Sequence, residues 1–186
     1  MARKPRLQIP GGFYHVTTRS IDGRPVLRRD KERRLLLALL TDVAQRFEWL
    51  CHVYCLMNTH YHLLVETPKP NIASGMQRLN GLFAQTFNRQ HRRSGHVFER
   101  RYHGEPLERD AHLLEVVRYI VLNPVRAGLC EAPEEWPWSS YRATVGAEPC
   151  PPFLTVSTVL GLFGHDAATS AREYAAFVTA RLGAAD

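Results

Sequence analysis

Two histidines stand one residue apart, at His60 and His62, and further on a tyrosine and an asparagine stand four apart, at Tyr119 and Asn123. On a strand, residues i and i+2 project from one face, so the two imidazoles could chelate a single divalent ion. On a helix, residues i and i+4 also share a face. A helix laid across the strand would then bring together a metal, a third ligand and a phenol. Two imidazoles and an amide oxygen leave half an octahedron open to water and phosphate oxygens. That suits Mg²⁺ or Mn²⁺ acting as a Lewis acid, and nothing in the cysteine spacing argues for zinc. With a polarised phosphate and neighbouring cations, a phenol becomes a nucleophile able to cut and rejoin a phosphodiester backbone. Each feature alone has a plainer explanation. A bare His-x-His is often a pair of half-exposed polar positions, a tyrosine on an amphipathic helix is most often core, and Asn123 precedes Pro124, where a helix is expected to stop.

The elements that would position these residues follow from periodicity. Residues 11–19 read as a strand after a Pro-Gly-Gly turn, and DGRP (22–25) as a turn. Asp30 is a plausible N-cap for a helix over 31–47, with Leu35, Leu36, Leu39, Leu40, Val43 and Phe47 on its apolar side. Residues 49–57 and 60–67 read as two strands joined by a turn at Asn58-Thr59. In the second strand His60, His62, Leu64 and Glu66 share one face, and Tyr61, Leu63 and Val65 the other. A second helix over 71–90 has a stripe of Ile72, Met76, Leu79, Phe83 and Phe87; its Gly75 and Gly81 weaken it or mark close approach. Residues 91–109 form a basic loop and a fourth strand, and Asp110 caps a third helix that Pro124 ends. The order β-α-β-β-α-β predicts an α+β, ferredoxin-like fold. Its antiparallel sheet would have helices on one face, leaving the other free for a site. Residues 1–130 are the expected core; residues 131–186, rich in Pro and Trp at first and then helical over 153–163 and 168–182, are an extension packed on it.

Composition narrows the setting. No run approaches the ~18 apolar residues of a membrane span, and the basic N-terminus lacks the apolar core of a signal peptide, so a cytoplasmic, nucleoid-associated protein is expected. Cys51 and Cys55 then read as buried small hydrophobes with reduced thiols. The net charge of +6 is uneven: residues 1–110 hold 19 Lys and Arg against 10 Asp and Glu, and the remainder is acidic. Such arginine-rich charge suits phosphate. Arg3, Lys4, Arg6 and Arg19 make one basic group, and Arg92, Arg93, Arg100 and Arg101 a second. The latter is interleaved with aromatic residues including Tyr102 and His103, a mixture that holds single strands by ion pairing and stacking. Arg118 and Arg126 flank the tyrosine. Trp136 and Trp138 either stack on bases or, as favoured here, pin the extension to the core.

MNTHYHLLVET followed by RYIVLNPVRAG, with LNGLFAQTFNRQHRRSGHVFERRY between them, resembles the REP-associated tyrosine transposases. These are relatives of the single-strand insertion-sequence transposases within the HUH endonuclease superfamily. The resemblance spans residues 11–142. It implies that His60, His62 and Asn123 bind the metal and that Tyr119 attacks DNA to form a 5′-phosphotyrosine. It also implies a substrate of single-stranded DNA near a hairpin and a monomer or homodimer. Many relatives place Asn directly before the first histidine; here Thr59 stands there, with Asn58 one earlier, and Tyr61 replaces an aliphatic residue between the histidines. Strand alternation turns Tyr61 away from the metal. The rival readings are a non-catalytic regulator that binds hairpins and a nuclease that uses metal-activated water.

Overall fold

The computed structural model describes residues 8–107 and 111–180. Arg3, Lys4, Arg6 and the expected cap Asp110 lie outside the described residues. Strand β1 (Gly12–Arg19) leads through a short turn into helix α1 (Asp30–Phe47), followed by β2 (Leu50–Leu56), β3 (His60–Thr67), α2 (Ile72–Gln90), β4 (His103–Leu107) and α3 (Ala111–Arg126). The sheet has the order β2-β3-β1-β4 with every neighbouring pair antiparallel, which is the ferredoxin-like arrangement expected.

Alternation divides the sheet into two faces. Tyr14, Val16, Tyr61, Leu63 and Val65 face α1 and α2, whose apolar stripes bury Leu36, Leu40, Val43, Met76, Leu79 and Phe83 against them. Gly75 lets α2 come close: a Cβ there would lie 2.1 Å from the Trp49 ring. Asp30 is the first residue of α1 rather than its cap, and its carboxylate faces Arg33 and Arg34.

The second face is not left bare. Phe13, Val53, Cys55 and Leu64 pack against Val117, Ile120 and Val121 of α3. The C-terminal segment, with α4 (Tyr141–Thr144), α5 (Ser157–Leu160) and α6 (Ala167–Thr179), adds Tyr141, Val159, Tyr174 and Val178 to that second core. Nor does Pro124 stop α3, which continues to Arg126 with the proline inside it. Proline removes one backbone donor, but Ile120, Val121 and Leu122 are buried, and their packing carries the helix past it. Gly128, at φ 64°, provides the left-handed residue that turns the chain away.

The C-terminal segment also closes the outer edge of β2. Leu56 N–H donates to Trp138 O, Ser140 N–H to Tyr54 O and Thr155 N–H to Cys51 O. Trp136 Nε1 donates to Leu56 O at 3.1 Å, and the Arg33 guanidinium sits 5.0 and 5.1 Å from the Trp136 and Trp138 rings. The two tryptophans therefore anchor the extension. Cys51 and Cys55 are buried thiols; burial pushes Cys51 up to about 12 and raises Cys55 as well.

Candidate active site

His60 and His62 project from β3 on the face opposite Tyr61, and their ring centroids lie 5.0 Å apart at 82°. Tyr61 is fully buried and donates its hydroxyl to Asn80 Oδ1 at 2.5 Å, on the other side of the sheet. Each histidine has its Nδ1 occupied. Thr59 Oγ1 lies 3.0 Å from His60 Nδ1. His62 Nδ1 lies 3.0 Å from His15 Nε2 and 3.1 Å from Thr17 Oγ1, both on β1. His62 Nε2 is buried and without a hydrogen-bond partner among the described residues. Burial holds His62 down to about 3, helped by His60, His15 and Arg19, and burial with Arg19 holds His60 down to about 4. Both rings are therefore neutral at pH 7, with Nε2 the free nitrogen on each.

His15 and Thr17 were not singled out from the sequence. They pair across the strands with Leu64 and His62 and alternate onto the histidine face. The signal was present in GFYHVTTRS: His15, Thr17 and Arg19 have one parity, opposite to the core residues Tyr14 and Val16.

Tyr119, on α3, is 37% exposed. Its ring meets His62 edge-on at 5.6 Å between centroids and His15 at 5.9 Å. The Arg126 guanidinium lies 5.5 Å from the same ring. Asn123 donates its side-chain amide to Tyr119 O at 2.8 Å, which leaves Oδ1 as the atom able to ligate a cation. Among the described residues, no hydrogen bond joins Asn123 to either histidine.

A cleft of about 690 Å³ opens over this group, lined by His15, Thr17, Arg19, His62 and Tyr119 on one side and by residues 99–103 on the other. That second wall has an unusual backbone. Thr17 pairs with His103, while Glu99 N–H donates to Arg19 O, so residues 100–102 form an excursion opposite Thr18 alone. Tyr102 is buried beneath Gly104, where a Cβ would lie 2.7 Å from its ring, and Arg100 and Arg101 are left exposed on the rim.

The expected DNA contacts divide accordingly. Arg19, Arg100, Arg101, Tyr102 and His103 line the cleft, with Tyr102 mostly as wall. Arg93 lies in a separate basic cleft with Arg24, Arg28 and Arg29, and the exposed Arg92 precedes it in the loop. Arg118 does not line either cleft. It is buried, donates to Glu115 Oε1 at 2.5 Å and stacks 4.4 Å over Phe177, so it ties α3 to α6. A helix turns by about 100° per residue, which points Arg118 away from the face that carries Tyr119.

Residues 10–123 match the family described as transposase IS200 like, and the chain belongs to that family. It is thus an enzyme of the tyrosine transposase class. The chain is 26% identical, over 74% of its own length and 84% of the relative's, to a protein of Haemophilus influenzae described as a REP-associated tyrosine transposase. A solved REP-associated tyrosine transposase bound to a REP hairpin superposes with a TM-score of 0.70 at 18% identity, covering 83% of this chain and 92% of that one. The tRNA(His) guanylyltransferase of Saccharomyces cerevisiae superposes with a TM-score of 0.50 at 8% identity, covering 97% and 82%. The same layout thus appears in an enzyme of another name, so the layout alone does not fix the chemistry.

Proposed function

We propose that this transposase cuts and rejoins single-stranded DNA beside a REP-type hairpin through a 5′-phosphotyrosine on Tyr119. The observation that carries the reading is the edge-on approach of the exposed Tyr119 ring to His62, within a cleft rimmed by Arg19, Arg100 and Arg101. The relative solved on a REP hairpin supports the choice of substrate.

The donors suit a hard divalent cation. His62 presents a buried Nε2 with no other partner, His60 presents Nε2 with its Nδ1 engaged, and Asn123 retains Oδ1. Mg²⁺ or Mn²⁺ bound by His60, His62 and Asn123 would polarise the scissile phosphate and stabilise its charge. The chain supplies the rest. The three cleft arginines hold the strand by its phosphates. The Tyr119 oxygen attacks phosphorus as its proton leaves to solvent in the open cleft. The bond from phosphorus to the 3′ oxygen breaks, and that oxygen takes a proton to leave as a 3′-hydroxyl. One phosphodiester replaces another, so a second 3′-hydroxyl can reverse the step and join a new end. Among the described residues no helix is long and apolar enough to cross a membrane. We place the activity in the cytoplasm, on the nucleoid.

The test is a covalent-adduct assay: protein, Mn²⁺ and a labelled hairpin oligonucleotide from the DNA around its own gene, resolved on a denaturing gel. The expected result is a shifted protein–DNA band that is lost in Tyr119→Phe and in His62→Ala. Cleavage that persists in Tyr119→Phe would replace the tyrosine mechanism with water attack. Binding without product, across metals and hairpins, would make the protein a hairpin-binding regulator.

A further inference from the structure

Behind the wall that closes the catalytic cleft lies a second cleft, of about 670 Å³, between residues 96–102 and α2. Glu99, Arg100, Arg101 and Tyr102 line both. The three-residue excursion is therefore a partition with an open space on each side.

The α2 side of this space holds a glycine that the fold does not explain. Gly81 stands in the middle of α2, where glycine is the least favourable ordinary residue. Gly75 of the same helix has its reason in Trp49; a Cβ at Gly81 would meet nothing within 4 Å. The space that Gly81 leaves is not used by any described residue of the chain. One turn earlier on the same face, the exposed Gln77 makes no hydrogen bond among the described residues, whereas Asn80 is already engaged by Tyr61 and Thr18. Phe98, half-buried, supplies an aromatic wall. Glu99, which lines this cleft, is paired with Arg100 at 3.1 Å.

We infer that this second cleft receives a nucleobase from the single-stranded flank, the nucleotide adjoining the stretch held in the catalytic cleft. An aromatic wall takes the face of a base, a free amide one helical turn away can pair with its edge, and the arginines shared with the catalytic cleft hold the phosphate between the two nucleotides. The bare flank of Gly81 gives the base room to approach the helix backbone. The inference rests on single-stranded DNA occupying the first cleft.

Full-length protein is titrated with two fluorescein-labelled oligonucleotides from its own locus, a hairpin with its single-stranded flank and the same hairpin without it. Wild type is expected to bind the flanked form about tenfold or more tightly, as stacking of one base gives. In Gly81→Leu most of that advantage is lost and only the share from the catalytic cleft remains, binding to the bare hairpin is unchanged, and Tm is equal or higher because a glycine has left a helix. Gly81→Ala shows a partial loss in the same direction. In wild type, replacing flank nucleotides one at a time by abasic sites reproduces the Gly81→Leu loss at a single position. Equal binding of the two oligonucleotides by wild type overturns the inference, as does a full flank advantage in Gly81→Leu. Adduct formation at Tyr119 is scored separately. A normal adduct in a Gly81→Leu protein that keeps its flank advantage would remove the base site and leave the tyrosine mechanism standing. A wild type that forms no adduct would remove the mechanism, while the binding comparison still decides the base site.

Discussion

Burial sets the charge of the histidine pair before any ligand arrives. An unfolded imidazole titrates near 6.5, whereas His62 in the fold is held to about 3 and His60 to about 4. Above about pH 6.5 both states are neutral and the pair adds nothing to the pH dependence of stability. As pH falls from there towards 3, the unfolded chain takes up protons that the folded rings refuse, so stability declines. For His62 the steepest slope is about 1.4 kcal/mol per pH unit. Urea midpoints of metal-free protein between pH 7 and pH 4 should show this decline, and His62→Asn should flatten it; an unchanged slope would assign the decline to other groups. The arginines make a different case about charge. Arg118→Ala should cost about 1–3 kcal/mol of stability, because it removes the bond to Glu115 and uncovers Phe177, with DNA affinity unchanged at permissive temperature. Arg100→Ala and Arg101→Ala should leave the melting temperature in place, and each should reduce the slope of log affinity against log salt by about one. At this scale strand parity made the histidine face and the turning away of Tyr61 readable from the sequence. It could not reveal that His15 and Thr17 would orient His62, because that depends on which strands become neighbours.

Elements were readable wherever one period governed them. Both long helices and the β2–β3 turn fall where the apolar spacing puts them, because each buries a continuous stripe. Two local departures were hidden. β2 carries a bulge at His52, where the register jumps from Cys51↔Val65 to Val53↔Leu64. The bulge turns both His52 and Val53 to the second face, where His52 stacks on Phe13 at 5.2 Å and bonds Glu66 and Thr155 O. A run of apolar residues gives no sign of such a shift, since both faces of β2 are buried. Pro124 misleads for a related reason: the packing of α3 on the second face outweighs a missing donor. The close approach of α2 yields a sharp prediction. Gly75→Ala should destabilise by about 1–3 kcal/mol, because a methyl would enter the Trp49 ring, which Asn71 holds through Nε1 at 2.8 Å. Thermal melts of Gly75→Ala beside Gly81→Ala should shift in opposite directions; a neutral Gly75→Ala would show that Trp49 can move aside.

For the whole molecule, the C-terminal third is the part that composition described least. Each of its bonds to the edge of β2 involves at least one backbone atom, and the sequence gives no sign of them. Residues 131–180 supply the partners for the outer edge of β2 and four of the buried residues of the second core, Tyr141, Val159, Tyr174 and Val178. We therefore propose that residues 1–130 are the catalytic core in chemistry but not a unit that folds alone. Protein ending at residue 130 should be insoluble, or bind a hydrophobic dye, since an open strand edge and the apolar residues around Val53 and Leu64 would face water. A soluble, cooperatively melting truncation would show the extension to be dispensable.

The closure of that edge also orders events during synthesis. Tyr54 waits for Ser140, 86 residues further on, and His52 for Thr155, 103 residues further on. Translation proceeds from the N-terminus, so β2 emerges long before the segment that will shield it. His60, His62 and Tyr119 all leave the ribosome while the sheet still has a sticky border. The nascent chain thus passes through an interval in which its reactive groups exist but its outline is unfinished. Slow or stalled elongation between residues 119 and 155 would prolong that interval, making the chain's last third the stretch where translation speed and chaperone access most affect yield.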